Sequence, residues 1–245
     1  MIDHLGFALD IDADSRFLDN ASARFSVFLL LACIGELMAA IDLSPANLLP
    51  NWVSPSVARH DGKDAVRLVL TPEAITPDNP TFACVRNIEF LDGTIEIEVA
   101  GRPLPDAAPD ARGFIGIAFR IQNDLSKFEC FYIRPTNGRA EVQLRRNRAC
   151  QYFSYPDWKF DRMRQEVPGH YEAYVDLVTG AWTKLRIEVE RDKARLFVHE
   201  QAQPTLIVND LKHGPDLKGA IGLYIDNGTE GFFRDLRVRA GHRQL

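Results

Sequence analysis

Cysteine is scarce: Cys33, Cys84, Cys130 and Cys150 are the four in 245 residues, with no C-x-x-C pair and no histidine at ligand spacing beside them. A zinc site is therefore not indicated. If a leader containing Cys33 is removed, three remain and at least one thiol is unpaired; a Cys130–Cys150 disulfide is the minor alternative. Positive charge is also short. Twenty-nine Lys and Arg stand against thirty-four Asp and Glu, giving a net charge of -5 and a pI near 5.7, which argues against nucleic acid or an anionic membrane as a general partner. The chain has no apolar run long enough to span a bilayer and no glycine-rich phosphate loop. The six histidines are scattered, and none stands beside a Ser or Cys in a triad motif.

What is present begins with "RFSVFLLLACIGELMAA" at 24–40, one arginine, then about eleven mostly apolar residues, then small ones. That is the layout of a secretory signal and implies a secreted or periplasmic protein. The residues before it are acidic and Glu36 interrupts it, as a start codon placed too far upstream would explain. An apolar helix packed on a cytoplasmic domain is the other reading. Residues 1–40 are thus taken as a leader and 41–245 as one domain, a length that single β-sandwiches often reach.

Beyond Ile41 the helical period nearly vanishes, and short alternating runs recur at sandwich-like spacing. "TFACVRNIEF" and "TIEIEVAG" flank Asp92-Gly93, a strong hairpin signal, and Ile95, Ile97 and Val99 alternate with Glu96 and Glu98. "WTKLRIEVERDKARLFV" repeats the arrangement, and two further strands flank Asn227-Gly228. Prolines fall between the runs and mark loops. The expectation is an all-β jelly roll of two stacked antiparallel sheets.

In order, "GFIGIAFR", "FECFYIRP", "CQYFSYPDW", "GAWTKLRIEVERDKARLFV", "QPTLIVNDLK" and "GAIGLYIDNGTEGFFRDLRV" resemble the concanavalin A-like lectin/glucanase superfamily. They are similar in particular to bacterial laminin G-like and 3-keto-disaccharide hydrolase-like domains. The resemblance spans about residues 41–240 and implies a saccharide partner. It also implies a structural Ca²⁺ near Asp226 and Asp235, for which turn residues satisfying their own backbone are the alternative; no other cofactor is expected. Phe114, Ile115 and Gly116 stand where the hydrolase relatives carry Asn-Ser-Gly.

Two apolar runs, 114–121 and 128–134, carry Arg120, Glu129 and Arg134. If Ile121 pairs with Phe128, Arg120 faces Glu129 as a cross-strand ion pair. A register one residue different sets Arg120, Tyr132 and Arg134 on a ligand groove. Between Arg134 and Arg164 eight basic residues meet three acids, with aromatics interleaved, so Gln151, Tyr152 and Trp158 are candidates for stacking and hydrogen bonding to sugar rings. The reading favoured is saccharide binding without cleavage, anionic saccharides included. A glycoside hydrolase using Glu129 or the Glu96/Glu98 pair as acid and base and a laminin G-like interaction module are the alternatives.

Overall fold

The computed structural model describes residues 39–74 and 80–241; the apolar run of the leader lies outside them. Fourteen strands, numbered in chain order, form two seven-stranded antiparallel sheets. The first runs β1 (Leu48–Asn51), β4 (Phe82–Val85), β13 (Ala220–Ile225), β6 (Ile115–Ile121), β7 (Phe128–Ile133), β8 (Cys150–Tyr155), β9 (Glu172–Ala173). The second runs β12 (Leu206–Val208), β11 (Lys193–Val198), β10 (Thr183–Glu190), β5 (Gly93–Pro103), β14 (Thr229–Ala240), β3 (Lys63–Leu70), β2 (Val53–His60). The short helices α1 (Gln143–Arg146) and α2 (Phe160–Glu166) flank β8. This is the jelly-roll sandwich the alternating runs imply.

The second sheet follows the simple rule of one dry and one wet face. Ile95 pairs with Ile187 and Ile97 with Leu185, all buried, whereas Glu96 pairs with Arg186 and Glu98 with Lys184 on the outward side. The first sheet does not. Every residue of β6 and β7 is buried, because apolar side chains occupy both faces. On the inner face Ile115 and Ile225 sit over Gly231 and Gly101 of the second sheet, a paired couple of glycines where added side chains would collide with those isoleucines. On the outer face Phe82, Phe128, Phe153, Tyr132 and Tyr224 pack against one another with centroids 5.2 to 5.8 Å apart. Gly116 leaves room among them, since a Cβ there would fall 2.5 Å from the Tyr132 Cα.

Three local expectations are corrected. Asp92-Gly93 does not close a hairpin, because β4 belongs to the first sheet and β5 to the second. Instead it carries the chain between sheets. Gly93, at φ 132°, lies so near Arg239 O that no side chain fits, and Asp92 accepts bonds from Arg120 and from the Arg191 backbone N–H. Second, Pro50 and Pro55 lie within strands, but β1 and β2 are sheet edges, where a missing N–H is tolerated. Third, Glu129 pairs with Phe119 and not with Arg120. An extra residue in β6 relative to β13 makes a bulge, with Arg120 at φ 55°, and a bulge re-aims the side chain that follows it.

Candidate functional site

The end of β7 builds the site. Tyr132 and Gln151 are cross-strand partners, and the Tyr132 hydroxyl donates to Gln151 Oε1 at 3.2 Å. Arg134, two residues on and on the same face, donates to both the Tyr132 hydroxyl and Gln151 Oε1. Its other arm donates to the Arg148 carbonyl at 3.1 Å and to Glu172 at 3.3 Å. Pro135 then starts a 3₁₀ turn, Pro135–Asn137, which takes the chain off the sheet. Asn137 Nδ2 donates to the Arg148 carbonyl, and Asn137 Oδ1 accepts from Arg145. Glu172 on β9 is shared by three guanidinium groups, those of Arg134, Arg148 and Arg164.

Of these groups Tyr132, Arg134, Asn137, Arg145, Arg148 and Arg164 line a cavity of about 310 Å³ together with Arg112, Phe114, Phe160, Asp110, Asp226 and Asn227, while Gln151 and Glu172 stand behind its wall as hydrogen-bond and ion-pair partners. Five arginines are set against Asp110, Asp226 and Glu172, a surplus of two positive charges in a protein that is negative overall. Among the described residues, neither Arg112 nor Arg145 has a carboxylate within 4.0 Å: Arg112 bonds the Pro109 and Ala111 carbonyls, and Arg145 bonds Asn137 and Thr136. Partial burial, and then the positive charge of Arg145, lower the Arg112 pKa, as expected where guanidinium groups crowd one another. Phe114 and Phe160 supply aromatic walls, with the Arg134 and Arg164 guanidinium carbons 5.8 and 5.0 Å from the respective ring centroids. A larger hollow of about 640 Å³ at the rim of the second sheet sets Arg191, Lys193, Arg195 and Arg239 against Asp92, Glu188 and Glu190, a surplus of one.

Of the residues singled out from sequence, Tyr132, Arg134 and Gln151 therefore come together. The others do not join them. Arg120 is fully buried and turned away from this cavity, donating to the carbonyls of Leu91, Gly214 and Arg191 and to Asp92 at 2.7 to 3.0 Å. The bulge, not a groove, decides its direction. Tyr152 is one residue out of phase with Gln151 and so points inward, where its hydroxyl donates to Glu129 at 2.6 Å and accepts from the Lys212 N–H. Glu129 sits there too, held by the His213 N–H at 3.0 Å. Burial raises its pKa, and the bonds from Tyr152 and His213 only partly oppose that. Glu129 thus faces the sandwich interior, away from the outer-face cavity. Glu96 and Glu98 lie on the outward side of the second sheet among Lys184, Lys63 and Arg234. No two of these three acids face each other across the cavity.

Trp158 stands apart, its ring 4.0 Å from the Arg162 guanidinium and 4.2 Å from the Lys212 ammonium; two residues later Phe160 takes the place at the cavity wall. Asp226 lines the cavity after β13, whereas Asp235 lies on β14 and bonds Arg237. Among the described residues no group of three or more His, Cys, Asp or Glu is placed to hold a metal. Cys130 and Cys150 point to opposite faces of the first sheet, and no disulfide joins them. Missed from sequence were Arg112, Phe114 and Glu172. Arg145, Arg148 and Arg164 were visible only as members of a basic stretch.

No family model matches the sequence, and no curated protein does. Solved structures of similar architecture include a carbohydrate-binding module, CBM66, from Bacillus subtilis, at 11% identity and a TM-score of 0.48 over 76% of this chain and 94% of that one. Another is a Bacillus subtilis protein with a galectin-like fold, at 13% identity and a TM-score of 0.46 over 78% and 90%. A third is a beta-1,3-glucanase from Mycobacterium marinum, at 13% identity and a TM-score of 0.37 over 76% and 73%.

Proposed function

We propose that this β-sandwich protein binds an anionic saccharide in the arginine-lined cavity at the end of β7, without cleaving it. The observation that carries the reading is the pair Arg112 and Arg145, which line the cavity without a carboxylate partner among the described residues while Arg134, Arg148 and Arg164 share Glu172. Planar guanidinium groups match carboxylate and sulfate oxygens two at a time, and Phe114 and Phe160 offer faces to the apolar side of a sugar ring. The closer kinship with laminin G-like and 3-keto-disaccharide hydrolase-like domains, and export through the N-terminal segment, belong to the same proposal; cell fractionation checks the second.

Titration calorimetry with polygalacturonate and with a neutral β-glucan tests the reading. Binding to the acidic polymer is expected, weakening as salt is raised because partly exposed charges are screened. Equal affinity for the neutral glucan, or silence toward every acidic saccharide, would overturn it.

A further inference from the structure

The shape of the site restricts how a glycan can enter it. Its volume of about 310 Å³ is at the lower limit of small-molecule pockets, and it is placed at the rim of the first sheet. Phe114 leads into β6, Arg134 follows β7 and Asp226 follows β13. A polysaccharide bound through its interior would need a track leading onward across the outer face. That face is closed: Phe82, Phe128 and Tyr224 are 0% exposed and Phe153 is 1% exposed. Within the cavity wall Arg134, Arg148 and Arg164 converge on Glu172, which ties β9 to the end of β7 and to α2. With no track onward over the outer face, a glycan would meet the cavity by a terminus.

Resting on the reading above, we infer that the cavity recognises the terminal unit of an acidic glycan, a chain end bearing a uronate-type carboxylate, and not an internal stretch. The carboxylate would lie against Arg112 and Arg145, the two guanidinium groups with no acidic partner within 4.0 Å among the described residues. Asn137, which lines the same cavity and is itself held by Arg148 and Arg145, is placed to meet a ring hydroxyl. The sugar ring would stand between the walls made by Phe114 and Phe160.

The test is calorimetry on the full chain with mono-, di-, tri- and hexagalacturonate and with polygalacturonate of known chain-end concentration. Recognition of a terminus predicts one protein bound per glycan chain and a Kd per chain that changes by no more than about twofold from the disaccharide upward. It also predicts that Arg112→Ala weakens every length by a similar factor. Several proteins bound per hexasaccharide, or affinity climbing steadily with length, would overturn this inference while leaving anionic-saccharide binding intact. Length-independent binding that Arg112→Ala and Arg145→Ala both leave unchanged would overturn the location. Failure of every length to bind would remove the underlying reading as well.

Discussion

Arg120 and Arg134 are both buried, stand at the ends of adjacent strands of one sheet and bond to four groups each among the described residues, yet they do different work. Arg120 spends its guanidinium on three backbone carbonyls from separate loops and on Asp92. It stitches the sheet crossing at Asp92-Gly93 to the turn between β10 and β11. Arg134 leans on side chains, those of Tyr132, Gln151 and Glu172, and stands at the wall of a cavity with four other arginines. Carbonyls fixed in loops offer nothing to exchange. A polar wall with surplus charge does, which is why the proposed saccharide site is at the cavity beside Arg134 and not around Arg120.

The largest effect is expected at the structural arginine. Arg120→Met leaves Asp92 and three carbonyls without their shared donor and should cost about 3–5 kcal/mol, read from the urea midpoint, while the molecules that remain folded bind saccharide as before. A variant as stable as the parent would break the contrast. Next comes Arg145→Ala, which should lower affinity for oligogalacturonate at least about tenfold, near 1.4 kcal/mol. Its stability should fall by only about 1 kcal/mol, because its partners are neutral, although the Asn137 side-chain carbonyl it serves is buried. A large loss of stability there would show that the two arginine sites are alike.

Glu129 sharpens the comparison from inside the sandwich. Its folded pKa is raised above the unfolded value, so the unfolded chain releases the proton first. Stability is therefore greatest below the unfolded value, near pH 4, and falls as pH rises toward the raised folded one. Glu129→Gln removes the titrating proton while keeping an acceptor oxygen for only one of Tyr152 and His213, so it should flatten that decline at a cost that does not vary with pH, which thermal melts of both proteins across pH would reveal. A difference between them that grows as pH falls would contradict the sign. The smallest effect belongs to the second sheet: Glu98→Gln removes half-exposed pairs with Lys63 and Arg234 and should change stability by no more than about 1 kcal/mol, with saccharide binding unaltered.

Much of this architecture could be read before the coordinates. The alternation in 183–190 and 93–99 announces a wet and a dry face, and the basic, aromatic stretch from Arg134 to Arg164 supplies half of the cavity lining. Tyr132 and Arg134 were legible together because period-two spacing puts them on one face, whereas Gln151, grouped from sequence with Tyr152 and Trp158, joins them through the register of β8 on β7. Arg120 and Tyr152 were not, since each depends on a single step: a bulge in β6 for the first and the phase of β8 against β7 for the second. Arg112 and Phe114 come from the segment before β6, and Glu172 from a two-residue strand, where local sequence carries no pattern.

Period and composition by themselves determined two antiparallel layers, because burying one side of a pleated strand demands alternation wherever the other side meets water. Tertiary structure alone decided which charged groups share a cavity. That choice turns on register, on a left-handed residue in a bulge and on segments far apart in the chain, and none of these alters the local hydrophobic rhythm.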